Sequence, residues 1–225
     1  HLLGSFGEVA ILSFGRGKGM TAGSGGAVLV RSPELARWTN RLQAEWGAGS
    51  GGAREVMALV AQSLLAHPSM YRFPASIPAL KLGEMVYHPP TEPRPMAAAS
   101  EVILRSALRM DERVVQYRRA RAEELLALVA KSHALVPVQP IVAGESGYLR
   151  LAILDSGNHR SAHAAIGVVR GYPMTLEQHP QLQPMLLPGE RAGKGSELLR
   201  DKLFTLPTHS RVNRSDLNRL EKWLG

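Results

Sequence analysis

The stretch Gly4-Ser-Phe-Gly-Glu-Val-Ala-Ile-Leu-Ser13-Phe-Gly-Arg-Gly-Lys18-Gly-Met-Thr-Ala-Gly-Ser-Gly-Gly26-Ala-Val-Leu-Val30 decides how the chain is read. From Glu8 to Phe14 the residues Val9, Ala10, Ile11 and Leu12 follow one another without a polar break, as in a buried strand. A loop rich in glycine comes next, then a second apolar run from Ala27 to Val30. Ser32-Pro33-Glu34 supplies an N-cap, a first-turn proline and an acidic residue, so a helix is expected from there to about Trp46. Strand, loop, strand and helix in that order is an α/β pattern.

Working outward, Gly47-Ala-Gly-Ser-Gly-Gly52 interrupts the chain before a short apolar helix expected from about Arg54 to Ala66. From His67 to Pro95 prolines are frequent, and Leu80 to Tyr87 is the only ordered-looking piece. Two helices are expected over about Met96–Arg109 and Asp111–Lys131. Strands are expected near Ala134–Val138, Tyr148–Leu154 and Leu203–Leu206, with helices over about His159–Arg170 and Ser215–Leu224. Residues 1–95 thus read as part of a larger α/β domain with a crossover, and 96–225 as a smaller α+β domain.

With 225 residues, 44% hydrophobic and 20% charged, the chain can bury a substantial core. No apolar run is long enough to cross a bilayer and no signal segment is evident, which gives a cytoplasmic location by default, with no membrane partner. The absence of cysteine excludes disulfides, thiolate nucleophiles and thiolate metal sites. The net charge of +8 comes without an aromatic-interleaved basic stripe or a nucleic-acid-binding motif. It reads as bulk charge suited to attracting an anionic substrate, with no nucleic-acid partner. The chain opens on His1 and enters a core strand within a few residues, so a fragment whose beginning is missing is expected.

Lys18 stands in a loop of glycine and small residues at the end of a core strand. Glycines let the backbone approach a bound group closely, and partial burial activates an amine, which suits a Schiff-base lysine. An exposed lysine in a flexible turn fits the same residues. Gly15-Arg-Gly-Lys-Gly-Met-Thr has neither the gap and ending of a P-loop nor a dinucleotide fingerprint opening a helix. His159, His163 and His209 lack metal-ligand spacing and read as solvated or capping residues. Arg118-Arg119-Ala-Arg121 reads as the wet face of a helix.

Gly4 to Phe14, then Lys18, Gly23-Ser-Gly-Gly26, an apolar strand and Ser32-Pro-Glu-Leu35 together resemble the DegT/DnrJ/StrS family of pyridoxal-phosphate-dependent sugar aminotransferases. The likeness continues more loosely through Tyr148-Leu-Arg-Leu, Arg160 opening the next helix, Tyr172-Pro173, Pro188-Gly189 and Leu206-Pro-Thr-His209. It implies a fold type I transferase: the end of the large αβα domain plus a small α+β domain, with active sites shared across a homodimer. It implies that Lys18 carries pyridoxal 5'-phosphate as a Schiff base and then moves the proton between the donor's α-carbon and the cofactor. It implies that Ser13 donates its hydroxyl to the cofactor phosphate. The substrates implied are glutamate and a nucleotide-linked keto sugar.

The family's aspartate for the pyridinium nitrogen, its ring-stacking aromatic and its phosphate loop would all precede the position matching His1. Its partner-subunit asparagine has no counterpart in Gly47 to Arg54, and Gly15 stands where many members carry a larger side chain. Arg150 lies on a strand where more distant fold type I enzymes place a carboxylate-binding arginine; a structural ion pair or a strand-edge arginine is the simpler reading. The alternatives to an aminotransferase are a non-catalytic or regulatory relative and another fold type I enzyme. Dehydratases of the family replace the lysine, commonly with histidine.

Overall fold

The computed structural model describes residues 4–15, 17–65, 89, 91–138, 144–157, 160–187, 189 and 193–225. The described residues of 1–66 and 88–112 form one compact unit, and those of 113–225 form the other.

In the first unit β1 (Val9–Ser13) and β2 (Gly26–Val30) make an antiparallel pair, in register from Val9 opposite Val30 to Ser13 opposite Gly26. Helix α1 (Pro33–Trp46) starts as its sequence dictates, with the Ser32 hydroxyl accepting the backbone N–H of Glu34 and Leu35 at 3.2 and 3.4 Å. Helix α2 (Ala53–Leu65) and helix α3 (Ala98–Leu108) pack together through backbone approach. Gly52 has φ +85°, and a Cβ there would lie 2.8 Å from that of Ala99; at Gly49 it would lie 2.0 Å from the Met96 carbonyl oxygen. The Ala98 N–H donates to the Ser50 carbonyl at 2.9 Å, closing the approach.

The second unit is built on an antiparallel sheet of order β3 (Leu135–Pro137), β4 (Arg150–Asp155), β6 (Leu203–Pro207), β5 (Val169–Arg170). Alternation along the strands turns Leu151, Ile153, Phe204 and Leu206 into the core, where they meet Leu125 and Val129 of α4 (Asp111–Val129). Leu220 and Leu224 of α6 (Arg214–Leu224) complete it, and Trp223 sets its ring edge-on to Phe204, centroids 5.5 Å apart. Asn213 and Asp216 form a reciprocal capping box at the start of α6. At its other end Arg160 donates to the carbonyls of Trp223 and Leu224, and pairs with buried Asp155 of β4 at 3.5 Å. The last carbonyls of a helix need such partners.

The structure departs from the expected helix over His159–Arg170. Its described residues make one 3₁₀ turn, Ala164–Ile166, closed by Gly167 at φ 76°; Val168 then bridges to His163, and Val169 and Arg170 pair with β6. A left-handed glycine ends a helical turn, and the β-branched pair after it prefers the sheet. Arg160 accordingly caps α6 rather than opening a helix. Helix α5 (Lys194–Lys202), which no apolar stripe announces in the sequence, runs straight into β6. The ordered-looking piece Leu80–Tyr87, most of the proline-rich stretch His67–Pro95, His159 and Pro188 lie outside the described residues. Among the described residues no helix is long and apolar enough to cross a membrane.

Candidate active site

Ser13 closes β1, opposite Gly26, with its side chain exposed. The chain then leaves the ladder through two backbone bonds that keep the loop narrow: Phe14 N–H to the Gly25 carbonyl and Ala22 N–H to the Phe14 carbonyl, both 2.9 Å. Phe14 and Ala22 are buried and anchor the loop from inside. Thr21 braces it, donating its hydroxyl to the Phe14 carbonyl at 3.3 Å and accepting the Gly23 N–H at 3.2 Å.

The two ends of the glycine motif serve different needs. Gly23 (φ +85°) and Gly25 (φ +89°) sit where a Cβ would press on Leu59 of α2 at 3.0 Å and on the Met96 side chain at 2.6 Å. These two therefore dock the loop on its own unit. Gly17, at φ +78°, has open space where a Cβ would stand. Its neighbour Lys18 turns back on Gly15, N–H to carbonyl 3.4 Å, and holds its side chain in solvent. A side chain at position 15 would lie 3.8 Å from the Ser13 hydroxyl. Both residues singled out in the sequence thus occupy one braced loop, with a hydroxyl at the strand end and a primary amine five residues on. An exposed amine and an exposed hydroxyl on one loop can bond, respectively, a carbonyl carbon and an anion.

Elsewhere, among the described residues no group of histidine and carboxylate side chains could hold a metal ion. The arginine run on α4 is more engaged than a wet face requires. Arg119 pairs with Glu145 at 3.0 Å, while Arg121 pairs with Glu124 at 2.6 Å and donates to the Val212 carbonyl at 3.2 Å. Arg150 is neither at a sheet edge nor in an ion pair: β4 lies between β3 and β6, and no carboxylate among the described residues meets it. Instead Nε donates to the Thr205 hydroxyl at 2.7 Å, and Nη2 to the carbonyls of Thr205, at 2.8 Å, and Gly167. The sequence marks Arg150 only through the looser part of the family likeness, and its bonds to Thr205 and Gly167 carry no signal of their own.

Residues 1–60 match the model of the DegT/DnrJ/EryC1/StrS aminotransferase family, which bears out the resemblance carried by the glycine loop. A search of curated protein sequences finds no match. The fold is similar to that of the aminotransferase TlmJ from Streptoalloteichus hindustanus, at TM-score 0.65 and 20% identity over 99% of this chain and 52% of that one. S. venezuelae DesV, solved in complex with a ketimine intermediate, gives 0.63 and 19% over 97% and 51%. The E. coli GDP-4-keto-6-deoxy-D-mannose-3-dehydratase, solved with bound hydrated PLP, gives 0.66 and 15% over 100% and 56%. The chain spans about half the length of these structures. Its fold is the corresponding part of a fold type I pyridoxal-phosphate transferase, as the sequence led us to expect.

Proposed function

We propose that this chain is part of a pyridoxal-phosphate-dependent aminotransferase that passes the amino group of glutamate to a nucleotide-linked keto sugar. The observation that carries this reading is Lys18, exposed on the braced glycine loop after Ser13, within the segment that matches the aminotransferase family. When bound, the cofactor supplies the electron sink that lets a proton leave the donor's α-carbon. Lys18 holds the group covalently through its amine. When its amine is free, Lys18 would accept the proton that leaves the donor's α-carbon. Ser13 donates its hydroxyl to the phosphate, and Gly15 and Gly17 leave the backbone open to it.

The keto-sugar nucleotide is supported by the name of the E. coli neighbour, whose substrate is a GDP-linked keto sugar. The same neighbour is a dehydratase, and dehydration of a keto sugar is the second reading; retention of a lysine at position 18 favours amination. We further infer a cytoplasmic homodimer. The test uses the full-length protein loaded with pyridoxal phosphate. The visible band of the lysine-linked cofactor should vanish in Lys18→Ala, and glutamate should drive amination of at least one keto-sugar nucleotide in a screen. An unchanged band in Lys18→Ala sinks the assignment, and a deoxygenated product without nitrogen selects the dehydratase.

A further inference from the structure

The loop that carries Ser13 and Lys18 leaves β1 at Ser13 and comes back beside it at Thr21 and Ala22. Both peptide groups of Phe14 are held at this neck. The Phe14 N–H donates to the Gly25 carbonyl at 2.9 Å, and the Phe14 carbonyl accepts the Ala22 N–H at 2.9 Å and the Thr21 hydroxyl at 3.3 Å. The same hydroxyl accepts the Gly23 N–H at 3.2 Å, and Gly15 and Gly23 lie side by side as a parallel bridge.

These bonds make Thr21 a rivet between the two limbs of the loop. The Phe14 carbonyl belongs to the planar peptide that joins Phe14 to Gly15, so its direction governs how the chain leaves Ser13 and where it sets out toward Lys18. On the other limb Gly23 is seated on Leu59 of α2, where a Cβ would come within 3.0 Å. Beyond the rivet the chain has more freedom: Gly17 has φ +78° and open space, and Lys18 turns back on the Gly15 carbonyl at 3.4 Å. The Thr21 side chain is half-buried and β-branched, so few rotamers are open to it and its two bonds are made together.

We infer that Thr21 is a positioning residue: it sets the span between the Ser13 hydroxyl and the Lys18 amine, and so matches the loop to a ligand that presents a phosphate and an aldehyde at a fixed separation. The inference rests on the reading of Ser13 and Lys18 proposed above. Thr21 does not itself meet the ligand, because its oxygen is engaged by main-chain partners on both sides. It serves as donor and acceptor at once, which a methyl group of equal size cannot do. Without it the Phe14 carbonyl keeps Ala22 alone, the Gly23 N–H loses its acceptor, and the two functional groups are no longer pinned at one distance. A ligand held at two points feels that change, since its second contact depends on the first having placed it; a ligand held at one point does not.

The experiment is an absorbance titration of the full-length protein, freed of cofactor, with pyridoxal phosphate and separately with pyridoxal, which offers the aldehyde without the phosphate. The band of the lysine-linked form is followed. In Thr21→Val pyridoxal phosphate should bind about tenfold more weakly, the loss of one charge-assisted contact, while pyridoxal changes by less than about twofold. Thr21→Ser, which restores the hydroxyl, should restore the ratio of the two affinities. On a Ser13→Ala background Thr21→Val should change nothing further. If Thr21→Val does not fold, Thr21→Ala, which only removes atoms, takes its place. An unchanged ratio, including equal weakening of both ligands, gives Thr21 a role in folding alone and overturns the inference while leaving Lys18 and Ser13 as assigned. A further loss on the Ser13→Ala background overturns it too, because Thr21 would then act by another route. A band missing from the wild type, or persisting in Lys18→Ala, fails the reading of Lys18 and this inference with it.

Discussion

The loop after β1 in the first unit is held by main-chain bonds from Phe14 to Gly25 and from Ala22 to Phe14, whereas on the sheet of the second unit Phe204 and Leu206 are 1% and 0% exposed. The hairpin and its loop are kept in shape by main-chain bonds and by glycines pressed against α2 and the start of α3. The sheet is kept in shape by side chains driven out of water. Reactive groups carried on backbone-defined geometry can be replaced without loosening what positions them. Groups wired into a side-chain core cannot.

Substitutions in the full-length protein should separate the two regimes. The largest effect is expected for Lys18→Ala, with turnover down on the order of 10²–10⁴-fold and little change in the denaturant midpoint. Phe204→Ala should do the reverse, lowering stability by about 3–5 kcal/mol through the cavity left beside Leu206 and Trp223. If Lys18→Ala unfolds the protein, the contrast between the regions fails. In the glycine-defined unit Gly52→Ala combines a forbidden φ with a Cβ 2.8 Å from that of Ala99, and about 1–3 kcal/mol should be lost in urea melts. Gly17→Ala, equally left-handed but facing open space, should lose only about 1 kcal/mol, and equal losses would show that contact adds nothing. Thr208→Val keeps the shape but strips the donor from two carbonyls, for about 1–3 kcal/mol by the same measurement.

The smallest effect concerns His209. Its imidazole is held below the ordinary value of 6.5, so on acidification the unfolded chain takes up a proton before the folded one does. The stability that goes with neutral His209 is complete above about pH 6.5 and is lost progressively below it. His209→Gln should flatten that part of a plot of thermal midpoint against pH, and an unchanged slope would assign it to other groups.

The amino-acid sequence announced the first unit well because its signals are local. The Val9–Leu12 run, the Ser32 cap and the glycine motif each act within a few residues, and β1, β2 and α1 begin and end within a residue or so of expectation. Lys18 and Ser13 were singled out for the same reason, aided by the family resemblance. In the second unit local signals misled in two places. The small residues after Ser161 suit a helix until Gly167 turns left-handed, and α5 carries a polar sequence whose order comes from packing on β4 and β6. The surroundings of Arg150 were illegible because their content is tertiary. The φ of 41° at Tyr148, the Thr208 hydroxyl that reaches the Tyr148 carbonyl and the bonds from Arg150 to Thr205 leave no mark on a linear chain.

The glycines that seat the loop before α2 have an evolutionary corollary. Any side chain at position 49 meets the carbonyl oxygen of Met96, an atom every amino acid brings with it, so no second mutation at 96 restores the space. At position 52 the obstacle is the methyl group of Ala99, and Ala99→Gly should recover the steric share of a Gly52→Ala defect, leaving the φ share behind. Drift at position 49 is closed unconditionally, whereas drift at position 52 is epistatic on 99.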